Sequence, residues 1–185
     1  LVWFIAGAGM LWSLHGGRSA RVASAAAIAF AVAGTLMISI APFTGAGNPL
    51  MNNYVPVLAH PWFYVGLGAV AAGLAVQAGS YLVVFLGRAH SRDEDEVISF
   101  ALGLAALSAL LALACVAISY SGMPDGASGE YYFDLLFWGG GHVLQFTHTV
   151  MLLVASMLLL RGSGSRLRGT PRLHALLFTL TVLPL

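Results

Sequence analysis

Val97 to Tyr120 reads VISFALGLAALSALLALACVAISY, twenty-four consecutive residues without a charged side chain. About 20 apolar residues cross a hydrocarbon core of about 30 Å as a helix, and backbone groups in lipid must find partners inside their own segment. The stretch therefore predicts a membrane-spanning helix. Further apolar runs fall at 1–14, 22–43, 62–87, 132–160 and 173–185. The first and last are too short to cross. The expectation is an all-α, polytopic transmembrane helix bundle with four complete spans and two truncated ones, forming one domain over 1–185. Both ends lie inside apolar runs, with no initiator Met and no signal peptide, so the chain reads as a fragment of a longer one.

Composition agrees. Hydrophobic residues make up 59% of the chain and charged residues 8%, whereas a soluble domain carries about 25% charged residues to solvate its surface. Ala and Gly are abundant in the spans, as in Ala25-Ala26-Ala27 and from Gly66 to Gly79. Small residues let helices approach closely where van der Waals packing drives association. Cys115 lies inside an apolar run, so neither a disulfide framework nor a cysteine metal cluster is available.

All eight positive charges are arginines. Arg18 and Arg21 lie in the first loop, Arg88 and Arg92 in the third, and Arg161, Arg166, Arg168 and Arg172 in the fifth. The second and fourth loops carry none. The positive-inside rule makes the arginine side cytoplasmic, and the acids Asp93 to Glu96 on that side count little. The span 132–160 then runs from outside to inside. The outer loop from Gly45 to Pro61, rich in Asn, Pro and Gly, is expected to be irregular or a short interfacial helix. The arginines set topology and meet lipid headgroups; nucleic acid is not an expected partner. The chain has no Gly-rich phosphate loop, no Ser-His-Asp pattern and no HExxH.

Ionisable groups inside spans are costly and mark functional candidates. The segment from Phe137 to His148 reads FWGGGHVLQFTH. His142 lies about 15 Å along the helix from Tyr132, near mid-membrane. Gly139, Gly140 and Gly141 each cost a helix about 1 kcal/mol against Ala, a cost that a large flat group or another backbone packed against them would offset. Two readings of His142 stand side by side: an imidazole hydrogen-bonded to a neighbouring helix, and a neutral metal or haem ligand. His148, about 240° around the helix from His142, cannot chelate the same ion from a regular helix and reads as a structural polar contact. Gln145, Phe146 and Thr149 share the His142 face. His15, His90 and His174 fall in or beside the inner loops, while His60, just before Pro61, reads as a cap or interface residue. Asp134 lies close to the outer interface.

At Trp138-Gly-Gly-Gly-His142, with an aromatic at Phe146, the chain resembles the sixth helix of haem-copper oxidase catalytic subunits, closer to the C-family oxidases and their nitric oxide reductase relatives than to mitochondrial-type subunits. That helix runs from outside to inside, as the arginines assign to 132–160. The resemblance implies that His142 binds the copper beside a high-spin haem, or iron in the reductases, and that Gly139, Gly140 and Gly141 contact the haem. No catalytic residue is assigned. Mitochondrial-type oxidases carry a tyrosine where this chain has Phe146, and the absence of glutamate from 132–160 leans toward an oxidase. By helix count the other metal ligands would fall before Leu1 or after Leu185, so the 185-residue piece is expected to be inactive by itself.

The whole protein would then be a cytochrome c oxidase-like enzyme of the bacterial inner membrane. It would reduce dioxygen to water with proton uptake, in contact with lipid and other oxidase subunits, and accept electrons from cytochrome c or a quinol. The rivals are a nitric oxide reductase-like subunit and a non-catalytic bundle, either a transporter or an accessory subunit of a respiratory complex. A His142 ring directed at acyl chains, or held at both nitrogens with no room for an ion, would count against the oxidase.

Overall fold

The computed structural model describes residues 18–45, 47–53, 57–87, 94–164 and 169–184. The helices are α1 (Arg18–Ile40), α2 (Pro61–Leu86), α3 (Glu94–Ser121), α4 (Gly129–Gly162) and α5 (Pro171–Val182). The first four are long and apolar enough to cross a membrane. The expected all-α bundle with four complete spans is what is found. The run 1–14 lies outside the described residues.

Helices α1 and α2 meet backbone to backbone. A Cβ added at Gly34 would sit 2.5 Å from the Gly66 carbonyl oxygen, one at Gly66 2.8 Å from that of Gly34, and one at Gly73 2.8 Å from that of Ala27. Early residues of α1 face late residues of α2, so the pair is antiparallel. Without a hydrophobic force in lipid, this close approach supplies the contact area. Helix α3 is the centre of the bundle. Its Ala106 and Ala109 pack with Ala27, Ala31, Leu74 and Ala78, while Val97, Ala101 and Ala105 pack with Val150 and Val154 of α4 and Phe178 of α5. Tyr81 of α2 donates to the Ser99 carbonyl at 3.0 Å.

The outer loop departs from expectation. After a 3-10 turn over Ala41–Thr44, strands β1 (Asn48–Leu50) and β2 (Val57–Ala59) pair antiparallel, with Asn48 opposite Ala59. Strands of three residues carry no alternation long enough to read, and Pro49 argues against a strand. Pairing nevertheless satisfies backbone groups at the membrane edge. The hairpin's Val57 packs with Ala41, Phe63 and Phe133, and the Asn53 N–H donates to Asp134 Oδ1 at 3.1 Å. Asp134 thus pins the loop to α4.

Helix starts follow local chemistry. His60 caps α2, its Nδ1 accepting from the Trp62 N–H at 3.3 Å ahead of Pro61, which bears out the cap reading. Thr170 caps α5 by accepting from the Leu173 N–H, again with Pro at the first position. Gly129, at φ +60°, adopts a backbone that disfavours side chains just where α4 begins. Glu130 in the first turn and Arg161 in the last both complement the α4 dipole.

Candidate functional site

Helix α4 is 34 residues long, about 51 Å at 1.5 Å per residue, which exceeds the hydrocarbon core and leaves His142 near its middle. Phe133, Gly140, Thr147 and Val154, seven residues apart, are buried, as is Val150. This face meets α3. The Ser108 and Thr147 hydroxyls are 2.8 Å apart in a buried hydrogen bond, and Ser108 also donates to the Ala105 carbonyl.

The glycine run divides between packing and open side. A Cβ at Gly140 would lie 2.5 Å from Val116 Cγ2 and 2.9 Å from the Ala112 carbonyl oxygen. Gly139 has only an ordinary contact, 3.5 Å from Cys115 Cβ, and Gly141 is partly exposed. At Gly140, then, another helix backbone occupies the room that the resemblance reserved for haem. That contact is enough to explain a glycine there.

His142 lies on the other side of α4. Its ring is exposed, in a row with exposed Trp138, Gln145 and Thr149. An outward-facing ring is the arrangement that counts against the oxidase reading, and within the described residues it is the one found. The ring is nonetheless fixed. Nδ1 lies 2.7 Å from the Trp138 carbonyl oxygen, and the Trp138 and His142 ring centroids are 4.9 Å apart, tilted by 48°. A carbonyl oxygen can only accept, so Nδ1 carries the hydrogen and, in the neutral ring, Nε2 carries the lone pair. An imidazole held through one nitrogen presents the other as a ligand.

Other polar groups on this side are turned back to the helix in the same way. Thr149 donates to the Gln145 carbonyl at 2.9 Å and Ser156 to the Leu152 carbonyl at 2.8 Å, so both hydroxyls are satisfied within the helix. The Gln145 side-chain amide is exposed and has no hydrogen-bond partner among the described residues. His148 is exposed too, one-third of a turn from His142. Among the described residues no three His, Cys, Asp or Glu side chains are grouped to hold a metal ion. The donor chemistry at His142 fits one ligand of a metal; the remaining ligands would have to come from outside the described residues. His174 is half-buried in α5, and His15 and His90 lie outside the described residues.

Two features escaped the sequence reading. Gln77 of α2 is buried, although an amide within an apolar span is a signal of its own. The Ser108–Thr147 bridge was hidden because hydroxyls are common in spans and their partners cannot be paired by spacing.

No family model matches the chain, and no solved structure matches it. It is similar to an uncharacterized protein of Aquifex aeolicus (strain VF5), 31% identical over 131 residues, which make up 71% of this chain and 33% of that protein. It is also similar to the uncharacterized protein RP382 of Rickettsia prowazekii (strain Madrid E), 31% identical over 132 residues, 69% of this chain and 25% of that one. The chain thus spans a third or less of each of these curated relatives, and shares with them a stretch long enough to contain several of its membrane-spanning helices.

Proposed function

We propose that these residues belong to the catalytic subunit of a haem-copper terminal oxidase of the bacterial inner membrane, with the arginine-bearing ends cytoplasmic. The observation that carries this reading is the lock on His142. The Trp138 carbonyl accepts from Nδ1–H and the Trp138 ring lies against the imidazole, which leaves Nε2 as the nitrogen that carries the lone pair. A copper ion beside a haem would supply the site at which four electrons from the external donor, with four protons, reduce dioxygen to water. His142 would hold that copper through Nε2. Helix α3, packed against Gly140 and joined through Ser108 and Thr147, keeps α4 rigid behind the ligand. The ligands on segments outside the described residues, further subunits and a cytochrome c or quinol donor would complete the enzyme.

A second reading has its own support. Gly140 is explained by helix packing alone, as in a non-catalytic bundle such as an accessory subunit of a respiratory complex. A nitric oxide reductase-like subunit, with iron for copper, would use His142 in the same way. The test is a reduced-minus-oxidised optical spectrum, metal analysis and dioxygen uptake on the protein purified from its full gene. Haem bands, about one copper per chain and dioxygen consumption are expected. Iron in place of copper together with nitric oxide consumption would move the protein to the reductases. A colourless, metal-free protein would leave the non-catalytic bundle.

A further inference from the structure

Helices α2, α3 and α4 line a partly open, mainly apolar cavity of about 40 Å³, bordered by Leu74, Ala78, Ala105 and Ala109 together with Gln77 and Thr147. Gln77 is 3% exposed, and among the described residues neither its Oε1 nor its Nε2 has a hydrogen-bond partner. An amide has two donors and two acceptor lone pairs, and leaving all of them unpaired in a low-dielectric interior is costly. Ser108 Oγ donates to the Ala105 carbonyl, so Thr147 Oγ1 donates to Ser108 Oγ and keeps its own lone pairs as acceptors beside the cavity it lines.

We propose that this cavity is a buried water-binding site that joins Gln77 of α2 to the Ser108–Thr147 pair of α3 and α4. A water needs roughly 10–15 Å³ of such space and two to four polar partners, so the cavity has room for two or three. Dry cavities are lined by apolar groups alone, and the Gln77 amide makes this one different. The bound water adds a polar tie between the two helix pairs of the bundle, α1–α2 and α3–α4, beside the alanine contacts and the Tyr81–Ser99 hydrogen bond. The inference is independent of any metal at His142, which lies on the opposite side of α4.

The test is X-ray hydroxyl-radical footprinting of the protein in lipid nanodiscs, in ¹⁸O-labelled water. Radicals formed from bound water oxidise the side chains beside it. Met151 lines the cavity, whereas Met157 packs against the apolar α3–α5 cluster and serves as the reference. Met151 is expected to be oxidised at least fivefold faster than Met157, and Gln77→Leu should bring the two rates together. Thr147→Val, which keeps the side-chain shape, should slow Met151 labelling at least twofold, and it serves as the second variant if Gln77→Leu does not fold. Equal rates in the unaltered protein, or a fast Met151 rate that neither substitution changes, would overturn the proposal. Xenon entering the cavity under pressure, with Met151 no more reactive than Met157, would mark it as a dry void and overturn it equally.

Discussion

The outward sides of α1 and α4 are alike in exposure and opposite in chemistry. On α1 it includes Ala25, Ile28, Val32, Leu36 and Ile40, with the Ser39 hydroxyl close to its end, a mainly apolar surface that acyl chains solvate well. On α4 it consists of Trp138, His142, Gln145, Thr149, Leu152 and Ser156, which includes an imidazole and an amide near mid-membrane. Two of the α4 hydroxyls are turned back to their own helix, so their exposure carries little cost. His142 Nδ1–H is turned back likewise, to the Trp138 carbonyl, and the Gln145 amide is exposed. Polar groups at that depth usually face protein or a cavity. The contrast teaches that equal exposure can carry different chemistry: the α1 side is mainly apolar, and the α4 side is mixed. The curated relatives are several times longer than the region they share with this chain.

Several substitutions would break or sharpen that contrast. The largest effect is expected on the inner side of α4. Gly140→Leu would drive a side chain into Val116 and the Ala112 carbonyl, separating α3 from α4 at a cost of about 3 kcal/mol or more; unfolding in denaturing detergent would register the loss. Next come the two outward sides, compared directly. Leu36→Gln should destabilise the protein by roughly 1–3 kcal/mol, because α1 would expose an unpaired amide to lipid. Gln145→Leu should bring no matching gain if the α4 surface is covered by protein. A gain of similar size in the same unfolding assay would return α4 to lipid. A smaller loss, about 1 kcal/mol, is expected for Thr147→Val, which removes the hydrogen bond to Ser108. Gly68→Ala is the smallest: a Cβ there meets nothing within 4 Å, so thermal stability should stay level or rise by about 0.5 kcal/mol.

The spans were legible because length and hydropathy decide them before any packing does. The apolar runs at 62–87 and 97–120 became Pro61–Leu86 and Glu94–Ser121. The His60 cap was readable for a similar reason, since a Pro at the first helical position marks the start. The β1–β2 hairpin was not readable, because three-residue strands held by tertiary contacts with Phe63 and Phe133 have no periodic signature. The glycine run was half legible. Its spacing announced a close approach, but the approaching group at Gly140 proved to be α3, which no local pattern could identify. His142 was singled out by its position near the middle of an apolar span. Which side of α4 it occupies depends on where α3 docks, and that is set by Gly140, Thr147 and Val154 together. Gln77 could have been flagged from its span alone, but its lack of partners needed three helices in place.

The claim beneath the account is that His142 Nε2 holds a metal on the outward side of α4. It is tested most directly by measuring copper and haem per chain, together with turnover, in the unaltered protein and in His142→Ala produced from the full gene. The account predicts about one copper per chain in the first. In the variant, copper should fall at least tenfold, with turnover lost and the haem bands and helical content retained. Full copper and full turnover in His142→Ala would contradict it, and so would an unaltered protein that carries no metal at all.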